Sequence, residues 1–251
     1  MKFVVFSGTT EGRLLSCYLA DAGAEVRTCV ASDYGREQQG EEQGVAVIKG
    51  PLSPEEKAGL LQGAALCVDA THPYATHVSA SVQEACAAVG IPYVRLLREE
   101  SGHPSALTVS SAEEASALLA PQEGNILLTT GAKELPAFSG IAPERIFPRI
   151  LPTHEGLSAC ERAAIPHRNI IAMQGPFSRE LNEAILRQYA IRYLVTKDGG
   201  SPGGFPEKAE AAEAVGVKLI VIRRPHETGL RYRQVLMLCD RLLHGHQLNP
   251  D

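Results

Sequence analysis

Residues 3–19 read FVVFSGTTEGRLLSCYL, and the fold follows from the change of period inside that stretch. Phe3–Phe6 is an unbroken apolar run, the pattern of a strand buried on both faces. Ser7-Gly8-Thr9 breaks the run, and apolar residues then return as Leu14, Leu15, Tyr18 and Leu19, one face of a helix over Thr10–Leu19. Buried strand, glycine turn and amphipathic helix together open a βα unit of a parallel sheet.

The rhythm continues outward. Glu25–Val30, Val45–Ile48, Leu66–Val68 and Tyr93–Leu97 read as strands, with helices at Pro54–Leu61 and the Ala-rich His77–Val89. A polar stretch with Gly and Pro, Glu99–Pro104, interrupts it. Strands then recur at Asn125–Thr130, Arg145–Ile150, Asn169–Met173, Tyr193–Thr196 and Lys218–Ile222. Helices fall at Ala112–Leu119, Glu155–Ala163, Arg179–Tyr189, Pro206–Val215 and Gln234–His244. The predicted fold is α/β: two Rossmann-like parallel-sheet domains, residues 1–103 and 104–251, facing each other across a cleft. No sequence repeat links the two halves.

Composition removes several classes. With 44% hydrophobic and 21% charged residues the chain is an ordinary globular one. A net charge of -5 argues against a nucleic-acid partner, which needs a basic surface. No window approaches the ~20 apolar residues of a membrane span, and the apolar run at the N-terminus is too short for an export signal, so the expected location is cytoplasmic. The six cysteines form no C-x-x-C pair and are expected as free thiols. His72 and His77 lack the H-E-x-x-H spacing, so no metal is expected.

Candidate sites lie where strands end. Gly8, Thr9, Thr10 and Glu11 open the first helix, whose free N–H groups suit phosphate or carboxylate. The loop is not G-x-G-x-x-G, and alone it is equally an ordinary capped βα turn. After the second strand, Asp33 is placed to hold a ribose, while Ser32 and Arg36 suit a 2′-phosphate, leaving NADH and NADPH both open. Thr71, His72 and Tyr74 crowd the end of another strand. In the second half Thr129-Thr130-Gly131 repeats the geometry of the first loop, and Gln174 and Gly175 follow a further strand. Lys197 and Asp198 stand at the base of a segment with four glycines in six positions, Gly199 to Gly204. Arg223 and Arg224 end the last strand, where guanidinium forks suit carboxylates.

Taken in order, Gly-Thr-Thr-Glu-Gly-Arg (8–13), Asp-Ala-Thr-His-Pro-Tyr-Ala (69–75), Met-Gln-Gly-Pro-Phe-Ser (173–178), Thr-Lys-Asp-Gly-Gly (196–200) and Gly-Gly-Phe-Pro-Glu-Lys (203–208) resemble the precorrin-6A reductase family of cobalamin biosynthesis. The likeness spans nearly the whole chain and departs from the family pattern at Glu99 and Gly199. It implies reduction of one carbon–carbon double bond of a corrin-ring precursor, metal-free or cobalt-loaded, by NADPH or NADH. It also implies two Rossmann-like domains with both ligands in the cleft between them, and carries Gly8, Thr9, Thr10 and Glu11 over to the ligand-facing loop and Thr71, His72, Tyr74, Gln174, Gly175, Lys197 and Asp198 to the cleft, without saying which ligand each meets. By position, Gly8, Thr9, Thr10, Glu11 and Thr71 are the candidates for the cofactor. The tetrapyrrole's carboxylates would meet Gln174, Gly175, Lys197, Asp198, Lys208, Arg223 and Arg224, with Arg98 and Arg149 as further candidates. His72 and Tyr74 are the candidate proton donors.

Two other classes compete. Another NAD(P)-dependent oxidoreductase of the short-chain type would carry Y-x-x-x-K on a helix; that spacing occurs here only at Tyr193–Lys197, in a stretch that reads as a strand, where the two side chains are not one helical turn apart. A non-catalytic dinucleotide sensor would bind the cofactor without turnover. Since one chain supplies both halves of the cleft, a monomer is the expected state.

Overall fold

In a computed structural model, which describes residues 1–31, 33–40, 43–98 and 102–245, the chain divides into two compact units. Unit 1 is Met1–Glu99 with Pro225–Asp251, and unit 2 is Glu100–Arg224.

Unit 1 begins β1 (Lys2–Phe6), α1 (Thr10–Asp21), β2 (Glu25–Val30), α2 (Asp33–Gln39), β3 (Val45–Lys49) and α3 (Pro54–Leu61). It continues β4 (Leu66–Asp69), α4 (Thr76–Val89) and β5 (Tyr93–Leu97). Unit 2 runs β6 (Leu107–Val109), α5 (Ala112–Leu119), β7 (Asn125–Leu128), β8 (Ile146–Ile150), α6 (His154–Arg162) and β9 (Ile171–Ala172). It ends α7 (Arg179–Gln188), β10 (Ile191–Lys197), α8 (Phe205–Val215) and β11 (Lys218–Ile222). The chain then returns to unit 1 as β12 (Leu230–Arg231) and α9 (Tyr232–Leu243).

Unit 1 is one six-stranded sheet in the order β12-β5-β4-β1-β2-β3, every pairing parallel. Read from β3, this is the doubly wound dinucleotide-fold order, which reverses direction between β1 and β4. Phe3, Val4, Val5, Leu66, Cys67 and Val68 of the two central strands are all at most 2% exposed, as the unbroken apolar runs require. On α1, Leu15 and Leu19 are fully buried in the core shared with Val26, Val68 and Val235. Each such leucine contributes ~1.5–3 kcal/mol relative to exposure. Local signals set the helix ends: Ser53 and Glu56 form a reciprocal capping box around Pro54, and α4 stops at Gly90 in the left-handed conformation.

Unit 2 repeats the plan in the order β6-β11-β10-β7-β8-β9, again all parallel. From β9 inward it has the same 3-2-1-4-5 succession, so its reversal lies between β7 and β10. The sixth, outer strand differs in origin. Unit 2 takes it from its own beginning, β6, whereas unit 1 takes it from the end of the chain, β12.

That return corrects the expected domain limit at the C-terminus. Residues beyond Arg224 do not belong to the second half: Leu230 and Arg231 pair with Leu96 and Leu97 of β5. Val235 and Cys239 of α9 are fully buried in the unit 1 core. Gly229 makes the approach sterically feasible, since a Cβ there would stand 2.2 Å from the Arg95 carbonyl oxygen. A two-residue strand carries no legible period, which is why β12, like the three-residue β6, was not foreseen.

Candidate active site

Open α/β sheets bind ligands outside the carboxyl ends of their strands, at the reversal point. In unit 1 that point joins the loop after β1 to the loop after β4. Thr9 caps α1, its hydroxyl accepting from the Gly12 amide at 3.1 Å and donating to the Ala70 carbonyl at 2.7 Å. One side chain thus shapes the helix N-terminus and ties the two loops together. Gly8 has φ +122° and Gly12 lies against the strand ends. A Cβ at Gly12 would meet Ser7 Oγ at 2.5 Å and Ala70 Cβ at 3.0 Å, so glycine is needed for close helix–sheet packing.

Beside this loop lies a hollow of about 270 Å³ bordered by Ser7, Val30, Gly50, Leu52, Thr71 and His77. Ser7 donates to Gln39 Oε1 at 3.1 Å, and the buried Gln39 Nε2 has no partner among the described residues. An orphaned buried donor is costly unless a ligand or water completes it.

Behind the β4 loop stands a buried ionic cluster. Asp69, fully buried, accepts from Arg95 Nη1 at 2.8 Å, the Thr71 amide at 3.0 Å and hydroxyl at 2.7 Å, and Tyr93 Oη at 2.9 Å. Arg95, 4% exposed, also donates Nε to Glu227 Oε1 at 2.7 Å. Burial and the Asp69 charge hold the Tyr93 phenol well above its ordinary pKa, so it stays a donor. His72 follows, exposed, its ring centroid 5.6 Å from that of Tyr74.

Unit 2 carries a counterpart of this clasp. Asp198 follows β10 as Asp69 ends β4, and its partner Arg224 follows the neighbouring β11 as Arg95 sits on β5. Arg224 Nη2 is 3.1 Å from Asp198 Oδ1 and its Nε donates to the Asp198 carbonyl at 2.7 Å. In unit 1, Arg95 Nη1 likewise reaches the Asp69 carbonyl at 3.1 Å. Thr129 repeats the Thr9 tie, its hydroxyl donating to the Val195 carbonyl at 3.1 Å. Asp198 Oδ1 also accepts from the Gly200 amide at 2.9 Å, ordering the glycine segment. Thr130, ending the β7 loop, has a buried hydroxyl with no partner among the described residues.

The expected site residues therefore fall into groups. Gly8, Thr9, Thr71, His72 and Tyr74 gather at the carboxyl edge of unit 1. Thr10 begins α1 there, and Glu11 is held by Arg98 at 2.5 Å. Asp33 opens α2 straight after β2, and Ser32 lies outside the described residues, as does Glu99. In unit 2, Lys197 pairs with Glu134 at 2.5 Å and Arg223 is exposed beyond β11. Gln174 is exposed after β9, and Gly175, joined to Pro176 by a cis peptide, lies under the Phe177 ring. Lys208 is buried on α8, where burial foremost, with Arg149 adding repulsion, pulls its pKa down to about 7.

The Asp69–Arg95–Glu227 cluster and Gln39 were not anticipated. Asp69 stood inside a quoted motif, but Glu227 lies 132 residues from Arg95, a separation no local pattern reveals. All six cysteines are free. Among the described residues no group of acidic, His and Cys side chains could hold a metal, and no helix is long and apolar enough to cross a membrane.

The family model for Precorrin-6x reductase CbiJ/CobK matches residues 2–242. A cobalt-precorrin-6A reductase of Priestia megaterium is 33% identical over 96% of this chain and 96% of its own length. That of Methanocaldococcus jannaschii is 34% identical over 90% of this chain and 91% of its own. A solved structure of CobK precorrin-6A reductase superimposes with a TM-score of 0.77 at 25% identity, covering all of this chain and 99% of that one. The chain belongs to the precorrin-6x reductase family.

Proposed function

We propose that this protein reduces a corrin-ring precursor, precorrin-6A or its cobalt-loaded form, with a nicotinamide cofactor seated at the carboxyl edge of unit 1. The carrying observation is the reversal point between β1 and β4. There the N-terminus of α1, Gly8 at positive φ, Gly12 packed close against the sheet and the adjoining hollow suit a dinucleotide. When bound, the nicotinamide supplies the hydride.

The residues of this chain bind and orient. The amides of Thr10 and Glu11 at the start of α1 would face the pyrophosphate, with Gly8 allowing close approach. Thr9 holds that loop against Ala70, and the Asp69–Arg95 clasp fixes Thr71 at the rim of the hollow. Ser32 and Asp33, after β2, are assigned to the adenosine ribose and to the choice between NADH and NADPH. At the unit 2 edge Gln174, Gly175, Lys197, Lys208 and Arg223 would meet the acid arms of the macrocycle. Asp198 and Arg224 serve there chiefly by holding each other and the glycine segment. Reduction of a double bond also needs a proton, and His72 or Tyr74 is the candidate donor on this reading. The enzyme works in the cytoplasm as a monomer on this reading.

Anaerobic turnover of the metal-free and the cobalt-containing substrate, each with NADH and with NADPH, tests it through the nicotinamide absorbance. Oxidation that depends on the tetrapyrrole is expected. Cofactor binding without such oxidation would point to a sensor and overturn the reading.

A further inference from the structure

Strand alternation sorts one face of the unit 2 sheet into layers. Leu127, Phe147 and Leu194 share a core cluster with Ile185 and Leu186 of α7 and with Ala209 and Ala212 of α8. Two residues further along each strand stand Thr129, Arg149 and Thr196. At the carboxyl edge the core layer thus becomes polar, and the covering helices answer with Asn182 and Lys208. Arg149 Nη1 donates to Asn182 Oδ1 at 2.7 Å, and its guanidinium lies 4.2 Å from the centre of the Phe177 ring. Lys208 Nζ donates to Thr196 Oγ1 at 3.0 Å.

Both cations are only 8% exposed, and among the described residues neither has a carboxylate at ion-pair distance. Burying a charge against neutral partners alone is unfavourable, and the sign of the missing partner is plain. The charged groups facing Lys208 are Arg149 of β8, which repels it, and Asp198 after β10 and Glu207 of its own helix, which attract it. α7 presents the neutral Asn182, and Asp198 is already engaged by Arg224.

We propose that Arg149 and Lys208 together form a buried dibasic seat for one carboxylate of the substrate. The proposal rests on the polycarboxylate substrate of the preceding section and deepens it. It separates a recessed pair that fixes one acid arm from Lys197 and Arg224, whose charges are already matched by Glu134 and Asp198. Burial and Arg149 bring the unliganded Lys208 ammonium to about 7, so an arriving carboxylate would restore its charge and draw in a proton.

The test is calorimetric titration of the tetrapyrrole into wild type, Lys208→Met and Arg149→Met at pH 8, in two buffers of different ionisation heat. Wild type is expected to take up about one proton on binding and Lys208→Met none. Both variants are expected to bind the tetrapyrrole roughly thirtyfold or more weakly, as when one partner of a buried charged contact is removed, with NADPH affinity unchanged. Unchanged tetrapyrrole affinity in both variants would overturn the seat. A wild type that neither binds nor reduces the tetrapyrrole would instead sink the functional reading. Succinate then serves as probe, read by the Lys208 side-chain NMR signals identified through their loss in Lys208→Met. Movement of those signals in wild type but not in Arg149→Met supports the seat; no movement overturns it.

Discussion

Asp69 and Arg95 carry opposite charges at 0% and 4% side-chain exposure, with Glu227 on the far side of the guanidinium. Removing one partner leaves the other buried and uncompensated, so Arg95→Met is expected to cost roughly 3–5 kcal/mol in urea denaturation. A loss below about 1 kcal/mol would show that the cluster does not hold the β4 and β5 ends. Lys208 makes a prediction of opposite sign. Its pKa falls from 10.5 unfolded to about 7 folded, so between those values the unfolded chain binds the extra proton and stability rises with pH. Without ligand, Lys208→Met is therefore expected to exceed wild type by on the order of 4 kcal/mol near pH 7, with the gap closing towards pH 10.5. A gap that widens with pH would contradict the burial argument. His72 and Tyr74 stand at the unit 1 edge, and a general acid contributes ~10²–10⁴ in rate. In single-turnover reduction, His72→Ala or Tyr74→Phe is expected to slow the reaction by about a hundredfold. Rates within about threefold of wild type in both would remove them as proton donors.

At the scale of elements, α1 depends on its approach to the sheet. Gly12→Ala would push a methyl group to 2.5 Å from Ser7 Oγ and 3.0 Å from Ala70 Cβ. We expect a loss of ~1–3 kcal/mol in stability and an NADPH affinity weakened about tenfold, read by cofactor fluorescence. Unchanged NADPH affinity would mean that this helix terminus does not hold the cofactor. The same elements show what a sequence can tell. Phe3–Phe6, Leu66–Val68 and Lys218–Ile222 were legible because a strand buried on both faces has to be apolar throughout. α1, α3, α5 and α7 were legible as helical stretches between the strands, and the structure adds the side-chain caps that start them, Thr9, Ser53, Ser111 and Ser178. β6 and β12 escaped because three and two residues hold no period. α2 escaped because DYGREQQ carries no apolar stripe.

For the whole molecule, both units follow one plan: the same strand succession, a threonine tie at each reversal point and a buried Asp–Arg clasp beside it. None of this was visible as repeated sequence, since topology survives on buried volume and a few contacts while other positions diverge. The candidate site was legible to the extent that ligands bind where strands end, which placed Gly8, Thr9, Thr71, Lys197 and Asp198 at carboxyl edges. Which cations were already neutralised was not legible, because Lys197–Glu134 and Arg98–Glu11 join residues 63 and 87 positions apart. On the proposed function, a nicotinamide held by this chain gives its hydride to the macrocycle. Mass spectrometry of the product formed anaerobically with NADPH deuterated at the transferable nicotinamide position tests it most directly. Reduced tetrapyrrole about one mass unit heavier than that from unlabelled cofactor is the expected result. Reduction without transfer of the label, or no reduction by either NADPH or NADH, would rule out direct hydride delivery by this chain.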